Sequence, residues 1–143
     1  MHIQIINGPN LNLLGKRRPE IYDAETFEQT LDNIRQEFPD LDIRYYQSNS
    51  EGEIIDRIHG AATEGALGIV LNPGAYAHYS LAIADALESV DIPAVEVHIS
   101  NIHAREEFRH TSLLAPVAAG SIMGFGLNSY RLGVYALLTG AEK

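Results

Sequence analysis

Residues 2–9 have the sequence HIQIINGP, a short apolar run that is rich in β-branched isoleucine and ends in Asn-Gly-Pro. Such a run is typical of a strand that is buried on both faces of a parallel sheet. Asn-Gly-Pro is a turn signal, so the strand is expected to span residues 2–7. A strand of this kind needs helices on both of its faces, and the sequence that follows supplies them.

The clearest helix pattern lies in residues 25–38, where four apolar residues recur at helical spacing. They are Phe27, Leu31, Ile34 and Phe38. Asp23 is the predicted N-cap of this helix, and Pro39 ends it because proline cannot continue a helix. Similar patterns predict three further helices, at residues 51–64, 80–90 and 127–138.

Four further segments are predicted to be strands, at residues 41–47, 67–71, 94–99 and 117–123. Strands that alternate with helices imply a parallel sheet with both faces covered. Right-handed crossovers then favour the strand order 2-1-3-4-5. The predicted fold is therefore α/β, a flavodoxin-like, doubly wound, three-layer αβα domain that spans residues 1–143.

The composition excludes several classes of protein. The chain has 143 residues, no cysteine and a formal net charge of −9. An acidic surface repels phosphate backbones, so no nucleic-acid partner is expected. No apolar run reaches the roughly 20 residues of a membrane span, and the N-terminus has no signal-peptide pattern. With cysteine absent, these features favour a cytoplasmic protein that has no membrane partner.

Ionisable residues follow the predicted strands at the edge where doubly wound sheets bind ligands. Four arginines, which are Arg17, Arg18, Arg105 and Arg109, lie in predicted loops after the first and fourth strands. In a chain with net charge −9, an anionic ligand needs such local cations to overcome the overall field. The placement predicts an anion site at the carboxyl ends of the strands.

Three motifs in these loops resemble type II 3-dehydroquinate dehydratases. They are NGPNLNLLG at residues 7–15, NPGAYAH at 72–78 and EVHISNIHAREEFR at 96–109, together with the spacing from Arg17 to Tyr22. The resemblance extends from the first strand to the last helix. It implies anti elimination of water from 3-dehydroquinate, through an enolate, without a metal or other cofactor. It also implies a homo-dodecamer built as a tetramer of trimers.

The resemblance makes Tyr22 the general base, in a mobile lid of about residues 15–23. A free tyrosine is mostly protonated at neutral pH and is then a poor base. A cation about 4 Å away, at an effective dielectric near 20, stabilises the phenolate by roughly 4 kcal/mol. Arg17 lies five residues earlier and would lower the pKa of Tyr22 in this way, against the opposing effect of burial. Without the resemblance, Tyr22 equally fits a tyrosine that packs against the stem of a surface loop.

Asn10 and His98 complete the catalytic set that the resemblance implies. Asn10 would hold the enolate oxygen or a water molecule, although asparagine also serves often in turns and caps. His98 would be the general acid, and Glu96, two residues earlier on the same face of the strand, would fix its tautomer. From position alone, His98 could also be a histidine that is hydrogen-bonded within the core.

The resemblance assigns substrate binding to Asn72, Gly74, His78, Asp85, Ile99, Ser100, Arg105 and Arg109. The consecutive N–H groups of Ile99 and Ser100 suit a carboxylate. Asp85 would reach into a neighbouring subunit's site, although a solvated helix carboxylate is the default interpretation. Arg105 would contact the lid, or it would form a surface ion pair with Glu106 or Glu107.

Other functions have weaker support in the sequence. A metal site is not expected, because His98 and His103 are separated by a predicted turn and no cysteine is present. A hydrolase that uses Ser80 or Ser100 lacks the Gly-x-Ser-x-Gly elbow. Residues 120–126 are glycine-rich but do not have the order of a dinucleotide loop. A non-catalytic, anion-binding flavodoxin-like module remains the alternative to a lyase.

Overall fold

A computed structural model describes residues 1–14 and 26–143 of the chain. Its strands form one parallel sheet in the order β2-β1-β3-β4-β5, which confirms the predicted fold class and strand order. The strands are β1 (His2–Asn7), β2 (Asp42–Gln47), β3 (Gly68–Asn72), β4 (Ala94–His98) and β5 (Gly120–Met123). Every residue of β1 is buried, as the apolar run predicted.

Helices cover both faces of the sheet. They are α1 (Phe27–Glu37), α2 (Glu51–Thr63), α3 (Leu81–Ser89) and α4 (Asn128–Leu138). Helices α1 and α4 share one core with Ile3, Ile5 and Val97, whereas α2 and α3 share the other with Ile6 and Leu71. Because successive residues of β1 point to opposite faces, Ile5 and Ile6 belong to different cores. None of the helices in the described ranges is long and apolar enough to cross a membrane.

Two predicted positions differ from the structure by three residues, whereas the other element boundaries agree to within two. The N-cap of α1 is Thr26 and not Asp23. The Thr26 hydroxyl accepts a hydrogen bond from the Gln29 backbone N–H, and the Gln29 side chain accepts one from Thr26 in return. This capping box satisfies two backbone N–H donors, whereas a single capping side chain satisfies only one. Strand β5 begins at Gly120 instead of residue 117, because Ala115–Val117 forms a 3-10 turn with proline in it.

A buried hydrogen-bond network joins the ends of β1 and β3 to α4. The hydroxyl of Tyr130 donates to Asn7 Oδ1 at 2.7 Å and accepts from Asn72 Nδ2 at 2.8 Å. Burial raises the pKa of Tyr130, so its hydroxyl keeps the proton that it donates. Asn7 Nδ2 in turn donates to the Tyr45 hydroxyl at 3.3 Å. The network fixes the edge of the sheet from which the β1 and β3 loops depart.

Tyr130→Phe should lower the free energy of unfolding by about 2–4 kcal/mol, because it leaves two buried amide groups without their partner. Tyr135→Phe is the matched control, since Tyr135 lies in the same helix but is 55% exposed. That variant should stay within about 0.5 kcal/mol of the parent. Urea unfolding measures both, and equal small effects would show that the Tyr130 hydroxyl is not important for stability.

Candidate active site

A cavity of about 410 Å³ lies at the carboxyl ends of β1, β3 and β4. Its size suits a small organic molecule. Nine of the residues singled out from the sequence line it, from three separate loops. They are Asn10, Asn72, Gly74, His78, His98, Ile99, Ser100, Arg105 and Arg109. The parallel sheet brings these loops together because all its strands end at the same edge.

The loops after β1 and β3 pack backbone against backbone. The N–H of Gly8 donates to the carbonyl of Asn72 at 2.8 Å. A Cβ atom on Gly8 would lie 2.5 Å from the carbonyl oxygen of Pro73, so only glycine fits there. Gly74 has φ of +59° and faces Pro9 across the same contact. The glycines of the two motifs therefore serve this close approach, which holds one wall of the cavity.

Asn10 has a left-handed backbone conformation, with φ of 70°. Its backbone N–H donates to Asn49 Oδ1 at 3.0 Å, which anchors the turn to the segment after β2. The side chain of Asn10 makes no capping hydrogen bond to the 3-10 turn Leu11–Leu13 that it precedes. Asparagine tolerates this conformation better than most residues, so the turn requires its backbone while the amide is not used as a cap.

His98 and Glu96 form a buried pair at the end of β4. His98 Nε2 lies 2.6 Å from Glu96 Oε2, and the two residues are 6% and 1% exposed. Burial raises the pKa of Glu96, but hydrogen bonds from His98 and Ser112 outweigh it and hold the pKa below its usual range. An ionised carboxylate only accepts hydrogen bonds, so Nε2 must carry a proton. Nδ1 of His98 has no hydrogen-bond partner among the residues that the structure describes, so it is the ring nitrogen that remains for a ligand.

His78 lies beside His98, with ring centroids 6.3 Å apart and an angle of 23° between the rings. Its Nδ1 is 2.9 Å from the carbonyl oxygen of Thr111, which can only accept a hydrogen bond. Nδ1 therefore carries a proton. Nε2 of His78 has no hydrogen-bond partner within residues 1–14 and 26–143, so it remains for a ligand as either donor or acceptor.

The side chain of Asn72 already has partners within the fold. Its amide nitrogen donates to the Tyr130 hydroxyl, and its Oδ1 accepts from the Gly74 N–H at 3.1 Å. An amide group has two N–H donors, and within the described ranges only one of them has a partner, so the other remains for a ligand. Asn72 thus links the buried network to the cavity wall.

The two cavity arginines have different surroundings. Arg109 Nε donates to Glu106 at 2.5 Å, and its guanidinium lies 4.9 Å from the centre of the Phe108 ring. The Arg109 hydrogen bond holds the pKa of Glu106 below its usual range. The ion pair that the sequence allowed between Arg105 and Glu106 or Glu107 does not form; Glu106 pairs with Arg109 instead. Arg105 has no ion pair within the part of the chain that the structure describes.

The family assignment rests on comparison with known proteins. The family described as Dehydroquinase class II matches residues 1–138. The chain belongs to this family. It is 54% identical to the 3-dehydroquinate dehydratase of Caldicellulosiruptor bescii over 137 residues, which are 94% of each chain. It is 56% identical to that of Clostridium perfringens over 139 residues, which are 96% of each.

Solved structures of class II dehydroquinases have the same fold. The type II dehydroquinase from Butyrivibrio crossotus is 50% identical and superimposes with a TM-score of 0.92, covering 96% of this chain and 97% of that one. The type II dehydroquinase from Propionibacterium acnes is 42% identical, with a TM-score of 0.90 over 97% of each chain.

Some residues that the dehydroquinase resemblance assigned are not part of the cavity wall. Glu96 lies behind His98 and reaches the cavity only through it. Asp85 is exposed on α3, away from the cavity lining. Tyr22, Arg17 and the rest of the predicted lid at residues 15–23 lie outside the described residues.

The structure also adds residues that the sequence did not single out. Leu11, Leu13, Leu14 and Ile102 supply much of the apolar cavity lining. The leucines lie within the first dehydroquinase motif, so their place in that motif could have identified them as cavity residues. Asn49 follows β2, which ends at the same edge of the sheet as β1. Among the residues that the structure describes, no cluster of three histidines or carboxylates could hold a metal ion.

The stability contributed by Glu96 should depend on pH in a defined direction. Its pKa in the folded chain lies below the usual glutamate value of 4.5, so its contribution is present above about pH 4.5 and is lost as the pH falls through the folded pKa. Glu96→Gln should therefore lower the free energy of unfolding by about 1–3 kcal/mol at pH 7. The difference from the parent should shrink as the pH falls below about 4.5 and through the folded pKa of Glu96.

Urea unfolding at pH 7, 5, 4 and 3 measures this difference. The exposed Glu107 provides the control Glu107→Gln, which removes the same charge without a buried partner. If the free energy of unfolding of Glu96→Gln differs from that of the parent by the same amount at every pH, the folded chain does not stabilise an ionised Glu96.

Proposed function

We propose that this protein is a type II 3-dehydroquinate dehydratase, a hydro-lyase that converts 3-dehydroquinate to 3-dehydroshikimate in the shikimate pathway. One observation carries the proposal. In a chain that matches the family over residues 1–138, the motif residues of three loops surround one cavity of suitable size. The non-catalytic anion-binding module is not favoured. The relatives from Caldicellulosiruptor bescii and Clostridium perfringens match this chain over nearly their whole length, and both are named as dehydratases.

The reaction requires a base, a group that stabilises an enolate, and an acid. In the proposed mechanism, the Tyr22 phenolate, kept ionised by Arg17, removes a proton from the carbon next to the ketone, and the bonding electrons form an enolate. Asn10 hydrogen-bonds to the enolate oxygen, directly or through water. The enolate electrons then expel the hydroxyl group, which takes a proton from His98 and leaves as water. The roles of Tyr22 and Arg17 rest on the motif alone.

The geometry around His98 supports the acid role. The imidazole N–H that faces Glu96 is fixed by an acceptor that stays ionised, so the other ring nitrogen can change its protonation without loss of orientation. A doubly protonated ring gives its Nδ1 proton to the leaving oxygen and remains a neutral ring bound to Glu96. The ionised carboxylate stabilises the charged ring until that transfer takes place.

The remaining cavity residues are proposed to bind the substrate. The backbone N–H groups of Ile99 and Ser100 provide an anion site for its carboxylate. We propose that the free Nε2 of His78, the second amide hydrogen of Asn72 and Gly74 in the same turn bind the ring hydroxyl groups. Arg105 and Arg109 supply positive charge in a chain whose net charge is −9. Together with the lid, these groups would replace water around the bound anion.

The lyase activity is tested by mixing the purified chain with 3-dehydroquinate and following the conjugated enone product by its ultraviolet absorbance. Tyr22→Phe should lower kcat by about 10²–10⁴-fold, since a base contributes that much, with little change in substrate binding. Tyr135→Phe, on the exposed face of α4, should keep normal turnover. No product at micromolar protein would exclude the lyase. Near-normal kcat in Tyr22→Phe would remove Tyr22 from the role of base.

The proposal extends to a cytoplasmic homo-dodecamer, a tetramer of trimers, in which Asp85 completes a neighbouring subunit's site. Asp85 is exposed on α3, the helix that also presents Leu81, which is 68% exposed. Tyr79, just before this helix, is 62% exposed. An apolar surface of this kind beside a carboxylate supports burial against another copy of the chain.

Light scattering should give the mass of about twelve subunits, and subunit mixing tests the role of Asp85. Asp85→Asn and His98→Asn should each be nearly inactive alone. After dissociation and joint reassembly, some sites would combine an intact His98 with an intact Asp85 from a neighbour, and activity should return. Glu88→Gln, also exposed on α3, is the control that should stay active. Asp85→Asn that is fully active alone, or no recovery after mixing, would contradict a shared site.

A further inference from the structure

The carboxylate of Glu96 has a second close donor, the hydroxyl of Ser112. Ser112 Oγ lies 2.7 Å from Glu96 Oε2, the same oxygen that His98 Nε2 contacts at 2.6 Å. The other oxygen, Oε1, has a longer contact of 3.3 Å with Ser121 Oγ of β5. His98 and Ser112 therefore share one oxygen of a buried carboxylate.

The direction of the Ser112 hydroxyl is fixed by its own turn. The backbone N–H groups of Leu114 and Ala115 both donate to Ser112 Oγ, each at 3.2 Å. These bonds occupy the lone pairs of the oxygen, and a hydroxyl has only one proton to donate. That proton must point to Glu96. The turn thus holds a preorientated donor against the carboxylate, 16 residues away along the chain.

We propose that Ser112 is a positioning residue for the elimination, which sets the strength of His98 as an acid by sharing the Glu96 oxygen to which His98 is bound. The inference rests on the proposed function, because it takes His98 as the general acid. Ser112 is not part of the cavity lining, so it acts only through Glu96.

The physical basis is competition for one negative charge. A hydrogen bond to a carboxylate stabilises the anion and makes it a weaker partner for other donors. Without Ser112, the carboxylate would hold the protonated imidazole more tightly. His98 would then release its proton at a higher pH and would be a weaker acid toward the leaving oxygen.

The other groups that act on His98 are unaffected by a change at Ser112. His78 lies on one side, with its ring centre 6.3 Å away. The guanidinium groups of Arg105 and Arg109 line the same cavity and oppose a positive charge on His98. Ser121 remains on Oε1 from β5. A shift in Ser112→Ala therefore reports the loss of the shared hydrogen bond.

The test measures the titration midpoint of His98 by NMR on histidine-labelled protein, with the His98 signal identified by its absence in His98→Asn. Ser112→Ala should raise the midpoint by about 0.5–1 pH unit, since only part of a hydrogen bond to a charged group is transmitted to His98. Ser112→Thr keeps the hydroxyl and should stay within about 0.2 unit of the parent. Ser121→Ala, the matched control on the longer contact, should shift it by less than half as much.

Kinetics give a second readout. In Ser112→Ala, the basic limb of the kcat profile should move up by the same amount, kcat should fall about 3–10-fold, and KM should stay within about twofold. If Ser112→Ala does not fold, Ser112→Cys keeps the size of the side chain with a weaker donor and should shift the midpoint in the same direction.

The outcomes separate this inference from the proposed function. An unchanged His98 midpoint in a folded Ser112→Ala protein would overturn the inference, whether or not the parent turns over substrate. An equal shift in Ser121→Ala would also overturn it, because the shared oxygen would then have no special role. A parent protein without turnover would overturn the proposed function, while the NMR titration would still decide whether Ser112 acts on His98.

Discussion

The fully buried hydroxyl of Tyr130 holds together the edge of the sheet on which the site is built. It bridges Asn7 at the end of β1 and Asn72 at the end of β3, the two strands whose loops form one wall of the cavity. Each of the three groups would be costly to bury alone, so they stabilise one another as a set. Asn72 Oδ1 also accepts a hydrogen bond from the Gly74 N–H, so the same network restrains the cavity wall.

The charges around the cavity differ in sign from the net charge of the chain. The chain is acidic overall, yet two arginines and a pair of histidines line the cavity. One buried carboxylate, Glu96, supports the opposite wall, where it is satisfied by His98, Ser112 and Ser121. A buried charge with three donors is far less costly than an isolated one, and it can orient the group it contacts. Glu96 thus lies behind His98, while Arg105 and Arg109 line the same cavity as the ring.

Much of the fold could be predicted because its signals are local. The isoleucine run of β1 and the helical spacing of Phe27, Leu31 and Ile34 depend on neighbours in the chain, and these elements form as expected. The prediction that Asp23 is the N-cap of α1 was wrong because several polar residues precede the helix. Thr26 is the cap because Gln29, three residues later, completes the reciprocal pair. The predicted start of β5 was wrong because a proline-containing turn occupies the segment just before the strand.

The sequence by itself determined the alternation of strands and helices, the strand order and the motif that identifies the family. It also indicated which loops carry the polar residues, because parallel strands end at one edge of the sheet. Tertiary structure alone decided which groups touch within that edge. Asn49 reaches Asn10 across 39 residues, and Ser112 reaches Glu96 across 16. Such contacts depend on how helices and turns pack to within a few tenths of an ångström, and no local pattern of residues encodes that distance.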